Sequence, residues 1–260
     1  MPKQSFPFLV LSLTLPLTAA AADPLAKEDA PSSWGLGIAA ISVQKPYAGM
    51  DRENKALPML HYENSWLRVS GPGLEVKLPR LGIGNISQAI EFGLVAKYDG
   101  NGYEADDAPL LAGMDKRGSG ILAGAKASWK TDVLNTTAEW TADVSGHSKG
   151  QRFELKIDKT WRLGPQVLLT PRLGATWLDK RYVDYYFGVR GTEATASRAA
   201  YTAKATLNTE IGLRTMYLFD RHHSMFLDLG VTGLGKEIKN SPLVDRSTEN
   251  RVLVGYLYRF

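Results

Sequence analysis

Residues 251–260 read RVLVGYLYRF. Val252, Val254, Tyr256, Tyr258 and Phe260 fall on every second position, with Arg251, Leu253, Gly255, Leu257 and Arg259 between them. A period of two puts the first set on one face of an extended strand and the second set on the other. A soluble domain usually leaves its last residues polar and loose. Here the most apolar and most strictly alternating segment comes last, and it ends on an aromatic ring.

The same period runs back through the chain. In 134–144, Leu134, Thr136, Ala138, Trp140, Ala142 and Val144 alternate with Asn135, Thr137, Glu139, Thr141 and Asp143. In 120–130, Ile121, Ala123, Ala125, Ala127 and Trp129 share a face, and in 152–162 so do Phe153, Leu155, Ile157 and Trp161. A helical stripe would recur every three to four residues instead. Further alternating segments cover 34–43, 56–63, 86–98, 166–180, 205–219, 223–237 and 249–260, and 66–78 divides into two short strands about Ser70-Gly71-Pro72-Gly73.

Short turns (84–85, 131–132, 164–165, 220–223) alternate with long polar stretches (44–55, 99–117, 181–204, 238–248). That asymmetry is the pattern of an outer-membrane barrel, with short periplasmic turns and long external loops. In lipid no water satisfies a stray backbone group, so only helices and closed barrels span. Past its first residues the chain has no apolar run of ~20 residues for a spanning helix, and its segments suit tilted strands of ~9–11. Trp129, Trp161, Trp177, Tyr217, Tyr256 and Tyr258 lie near strand ends, where indole and phenol favour the headgroup boundary. The reading is an all-β protein, a closed antiparallel transmembrane β-barrel. Both ends on the periplasmic side require an even count, so twelve strands are expected, with ten as the fallback. A secreted β-sandwich burying the apolar face against a second sheet is the competing fold.

The amino-terminal residues set the destination. Lys3, an apolar run from Phe6 to Leu17 and small residues ending Ala20-Ala21-Ala22 form a secretory signal, 1–22, cleaved before Asp23. Residues 23–33 form a short leader, and the barrel covers 34–260. The expected location is the outer membrane of a Gram-negative-type cell. Zero cysteine excludes a disulfide framework, a thiol nucleophile and a cysteine–zinc site. A net charge of +4 without a concentrated basic run excludes a nucleic-acid surface.

The inward faces carry both signs: Lys126, Lys130, Glu139, Asp143, Arg152, Glu154, Lys156, Asp158, Arg172, Glu210 and Arg214, with Glu91, Asp228, Arg251 and Arg259. Balanced signs favour a lumen partly filled by cross-strand ion pairs over a selective channel, which tends to concentrate one sign at a constriction. No catalytic constellation emerges. His147-Ser148 and His222-His223-Ser224 are sequence neighbours that a strand would send to opposite faces, and no G-x-S-x-G elbow occurs. Residues 99–107, DGNGYEADD, begin like a calcium loop, but Tyr103 stands at an expected oxygen-ligand position and Glu104 where glycine belongs. The loop reads as solvated and acidic, with weak divalent-ion bridging to lipopolysaccharide as the sharper alternative. No cofactor or metal is expected.

Five stretches in order, KPYAGMD (45–51), LPMLHYENSWLRVSG (57–71), DDAPLLAGMDKRGSGILAG (106–124), DYYFGV (184–189) and SPLVDR (241–246), resemble the MipA/OmpV family of outer-membrane proteins. The resemblance covers essentially the whole chain after the signal. YENS lacks the glycine usual in that turn, and 193–201 is looser than the family's arginine-serine-glycine stretch. The resemblance implies a non-catalytic barrel and, as one family role, a scaffold linking a murein lytic transglycosylase to a murein synthase. The alternative is a narrow pore for small solutes. The motif residues Asp106, Asp107, Asp115, Lys116, Arg117, Asp184, Tyr185, Tyr186, Asp245 and Arg246 all fall in outer loops or at strand tops. They are expected to meet near the barrel mouth as a charge-and-tyrosine network. The alternating face of 252–260 resembles the signal read by the outer-membrane assembly machinery.

Overall fold

The computed structural model describes residues 32–82 and 89–260. The signal segment 1–22, most of the leader and the expected turn at 84–85 lie outside the described residues. Twelve strands follow: β1 (Ser33–Gln44), β2 (Glu53–Glu63), β3 (Leu67–Ser70), β4 (Gly73–Lys77, continued by Leu81–Gly82), β5 (Ala89–Asp99), β6 (Gly120–Lys130), β7 (Asn135–Asp143), β8 (Gln151–Asp158, continued by Trp161–Leu163), β9 (Val167–Leu178), β10 (Thr206–Leu218), β11 (His223–Gly233) and β12 (Thr248–Arg259). Each pairs antiparallel with the next, and β12 returns to pair β1, from Gly35 opposite Arg259 to Gln44 opposite Asn250. The sheet is a closed up-and-down barrel. No helix among the described residues is long and apolar enough to cross a bilayer, so crossing falls to the strands.

Two prolines interrupt the ladder without breaking closure. Pro171 has no N–H to donate, and opposite it β8 lapses at Lys159–Thr160 and resumes in the same register. Around Pro79 the pairing of β4 with β5 slips by one residue, a bulge, before Leu81 meets Ile90.

Register confirms which face is which. Leu36, Ile38, Tyr256, Val231, Ile211, Leu173, Leu155, Trp140 and Ile121 point outward and are all well exposed, while Ala39, Leu122, Thr141, Phe226, Asp228 and Leu257 point inward and are buried. A continuous exposed apolar band of this kind needs hydrocarbon around it. Aromatic rings edge the band at both ends. Trp34 and Tyr62 meet edge-on at 4.9 Å, with Tyr217–Phe219 and Tyr258–Phe260 at the same short-turn end, and Trp140, Phe153 and Trp177 lie near the other end.

The protein's hydrophobic core is above the barrel, not inside it. The long connections fold together as a cap over the outer mouth. They comprise residues 45–52, residues 100–119 with a 3-10 turn at Pro109–Leu111, residues 179–205 with α1 (Lys180–Phe187), and residues 234–247 with α2 (Lys236–Lys239). Tyr47, Tyr103, Leu111, Met114, Tyr182, Val183, Tyr186, Phe187, Ile238 and Leu243 are buried there as one cluster. Sequence reading leaves 181–204 and 238–248 as polar loops and runs strands to 180 and 237. Helices stand there instead, because Asp179 caps α1 by accepting from the Tyr182 N–H (2.8 Å), and Tyr182, Val183, Tyr186 and Phe187 fall on one helical stripe facing the cluster.

Candidate functional site: the cap and the lumen

Arg117 is the centre of the cap. It is 3 % exposed, and its guanidinium donates to both Glu193 oxygens (2.9 Å each), to the Tyr185 carbonyl (2.8 Å) and to the Asp115 carbonyl (3.1 Å). Its carbon lies 5.9 Å from the Tyr103 ring centre and 5.7 Å from that of Tyr185. Burial opposes the charge on Glu193, but the N–H groups of Arg190 and Asp115, with Arg117, hold its carboxyl below the ordinary range. Tyr185 accepts from the Gly118 N–H (2.9 Å) and Tyr186 donates to the Gly118 carbonyl (3.2 Å), so α1 straddles the Arg117 loop. Asp115 pairs with Arg190 at the surface (2.6 Å), and Asp184 accepts from the Ala203 N–H (2.8 Å).

Of the ten expected mouth residues, Asp115, Arg117, Tyr185 and Tyr186 thus lie in one network about the Arg117 loop, and Asp184, beside them on α1, bonds instead to the Ala203 N–H. The other five stand apart. Lys116 turns outward to Glu104 (2.5 Å), and Asp107 accepts from the Glu104 N–H. Asp106 is exposed. Arg246 donates to the carbonyls of Lys45 and Tyr47 (3.3 and 3.2 Å) beside Asp245. Glu193, the counter-charge, carries no sequence signal, since a single acid in a polar stretch looks solvated. Arg198 is equally hidden in the sequence. It is buried, and its guanidinium donates to the carbonyls of Ala112 and Glu193, binding two loops together.

A second cluster joins cap to barrel. Tyr182 donates to Asp99 (2.6 Å), and the Asn101 amide donates to the Tyr182 hydroxyl (2.5 Å) and to Asp99 (3.1 Å), with Arg152 3.7 Å from Asp99. Burial raises the Tyr182 phenol well above its ordinary pKa, and raises that of Tyr103 to about 12 against the pull of Arg117. Both oxygens of Asp99, one of the acids counted in the 99–107 loop, are therefore engaged by protein groups.

Inside the barrel, two charge ladders face an apolar arc. On one side Glu63 meets Arg68 and Lys77 (2.7 and 2.6 Å), Glu75 meets Arg68 and Lys126 (3.1 and 2.6 Å), and Lys97 contacts Glu139 with Glu154 at 3.7 Å. Asp158 accepts from Asn135, and Lys156 lies on the same inward face. Opposite, Asp228 is 1 % exposed and gathers Arg172 (bidentate, 2.9 and 3.0 Å), Arg214 (2.8 Å) and Arg251 (3.6 Å), while Glu210 takes the Arg172 Nε (2.8 Å). Between the ladders, Ala39, Ile41, Leu57, Met59, Leu253 and Leu257 form the arc across β12, β1 and β2. Lys130 lies at the short-turn rim with Glu91 (2.7 Å). Asp143 turns up into the outer turn and accepts from the N–H groups of Ser145, Ser148 and Lys149 (2.9, 2.6 and 2.9 Å). The Ser145 hydroxyl lies between Asp143 and His147 (2.5 and 3.1 Å). A nucleophilic triad needs the imidazole in the middle, so this order does not generate one.

A closed barrel with an apolar outer band, ringed by aromatics and carrying long connections at one end, defines an integral outer-membrane β-barrel protein. The family described as MltA-interacting protein MipA matches residues 36–260, and the chain belongs to it. It is 28% identical to YiaT of Escherichia coli K12 over 232 residues, covering 88% of this chain and 92% of that one. Identity to the outer membrane protein OmpV of Vibrio cholerae is 26%, over 85% of this chain and 84% of OmpV. Identity to the MltA-interacting protein of Escherichia coli K12 is 24%, over 89% and 92%. Among solved structures it is similar to the COG4313 outer membrane channel from Pseudomonas putida F1, with a TM-score of 0.43 and 13% identity, covering 92% of this chain and 100% of that one. The protein is located in the outer membrane of a Gram-negative bacterium.

Proposed function

We propose that this barrel is a non-catalytic scaffold whose working face is its periplasmic end, where it engages a murein lytic transglycosylase and a murein synthase. The cap carries this reading. Folded loops with their own hydrophobic core lie across the outer mouth and leave the short-turn end as the exposed one. That end carries apolar side chains in and beside its turns, among them Trp66, Val133, Leu163 and Phe219, and Val133 is 75% exposed. The name of the MltA-interacting relative supports the first partner. The outward face of β12, with Val252, Val254, Tyr256, Tyr258 and Phe260, is proposed as the surface read by the assembly machinery.

A second reading, a narrow pore gated by the cap, draws on the lumen: Arg214 and Arg251 side chains are 48% and 44% exposed there. Conductance in planar bilayers separates the two. Silent barrels that co-purify with a lytic transglycosylase support the scaffold. Steady channels with no such partner would refute it.

A further inference from the structure

Three features converge where β12, β1 and β2 reach the outer leaflet. The first is a charge without a counter-charge. Arg52, at the outer end of β2, lays its guanidinium over the outward face, donating to the Ser42 Oγ (3.1 Å) and to the Asn250 side chain. No carboxylate among the described residues pairs with it.

The second feature is shape. Directly beneath, small side chains at Ala40 and Ala56, walled by Val252 and Val254 and bordered by Ser42 and Asn54, leave an outward-facing recess of about 310 Å³. The neighbouring outward positions Ile38 and Tyr256 are large.

The third feature is a free strand edge. β3 and β4 turn back early, at Gly71-Pro72, and β3 reaches only His61–Glu63 of β2. The last rung is the Gly71 N–H to the Leu60 carbonyl (3.1 Å). Above it, from Met59 to Glu53, β2 pairs only with β1 among the described residues. Strand alternation directs the backbone groups of Asn54, Ala56 and Pro58 to the same side as the Leu60 carbonyl, along the open edge. Pro58 has no N–H, so the edge offers two donors, at Asn54 and Ala56. Unpaired donors at the border of hydrocarbon are costly, and an acceptor is expected there.

The outer leaflet of this membrane is built from a phosphorylated, multiply acylated glycolipid whose acyl amides lie just beneath its phosphates. We propose that this surface is a lipid A site. Arg52 takes a phosphate, the Asn54–Ala56 edge donates to an acyl amide carbonyl, and the alanine-floored recess holds one acyl chain. A guanidinium matches phosphate oxygens in a bidentate fork, which a diffuse annular lipid would not exploit. The site is on the outward wall and is independent of the periplasmic role proposed above.

Native mass spectrometry of the mature barrel in detergent, titrated with purified bis-phosphorylated lipid A, tests it. One lipid A is expected to stay on each barrel through collisional activation. Arg52→Ala is expected to weaken retention at least tenfold, and Ala40→Leu with Ala56→Leu, which fills the recess, by a similar factor. Phosphatidylglycerol should bind at least tenfold more weakly, and Lys116→Ala on the cap should change nothing. Each barrel's folding is checked independently by its heat-dependent gel shift. Retention by both site variants at the wild-type level would overturn the proposal, as would phosphatidylglycerol binding equal to that of lipid A.

Discussion

Removing Arg117 should unlatch the cap while leaving the barrel closed. In Arg117→Ala, Glu193 stays buried but loses two charge-assisted bonds, and the carbonyls of Tyr185 and Asp115 lose their donor. Breaking a buried ion pair from one side costs about 3–5 kcal/mol. Glu193 keeps the backbone donors of Arg190 (2.9 Å) and Asp115 (3.1 Å), which places the loss at the low end, about 3 kcal/mol. At 1.36 kcal/mol per decade, the opening equilibrium of the cap rises by roughly two orders of magnitude. Hydrogen exchange followed by mass spectrometry reads this directly. Peptides from 100–119 and 180–204 should exchange on the order of a hundredfold faster, whereas peptides from β9 to β11 should keep their protection, because their ladders do not involve the cap. Arg117→Ala with Glu193→Ala should recover part of the loss, since no orphaned carboxylate remains. The reasoning fails if cap exchange rises less than threefold, or if the strands lose protection in step with the loops.

Glu193 also makes the cap acid-sensitive. Its carboxyl is held below its ordinary value in the folded state, so its contribution is fully present above the unfolded value of about 4.3 and is lost as pH falls through the folded one. Cap protection, measured relative to the intrinsic exchange rate at each pH, should be the same at pH 7 and pH 5 and should fall below about pH 4, an effect that Glu193→Gln abolishes. Gly150→Ala should loosen the β7–β8 turn from α1, because an added Cβ would come within 2.6 Å of the Tyr182 backbone and Cβ; about 1–3 kcal/mol is expected, read as faster exchange in α1 alone. Asp228→Ala leaves Arg172, Arg214 and Arg251 facing one another and should lower the temperature at which the folded gel band converts to the unfolded one, while Arg162→Ala, at the exposed short-turn end, should not. Phe260→Ala should reduce the amount of folded barrel recovered from membranes without changing the melting of what does fold.

The wall of the barrel was readable because alternation is local. Whether Trp140 and Thr141 point out or in follows from their parity alone, and the same holds for every residue of β7. The cap was not readable in the same way. Its apolar residues, such as Tyr47, Leu111 and Leu243, are scattered singly through polar stretches, and no period relates them until distant loops meet. α1 did leave a local trace, the Asp179 cap followed by Tyr182, Val183, Tyr186 and Phe187, but it is short and abuts a strand whose alternation runs into it. The motif residues were picked out by resemblance, which located Arg117 and Tyr185 but could not supply Glu193, because a counter-charge is defined by contact and not by spacing. The open edge of β2 was equally out of reach. It depends on how far β3 extends against β2, a register between strands that no alternation encodes.

The seam between β1 and β12 joins the two strands of the wall that are farthest apart in the chain. Gly35 finds Arg259 and Gln44 finds Asn250, so the earliest strand cannot be satisfied on both sides until the latest one arrives. Pairings this remote in sequence are slow to form and leave sticky surfaces uncovered in the interval. The apolar faces of the wall therefore stay open at one margin until first and last strand meet, and the circle closes all at once or not at all.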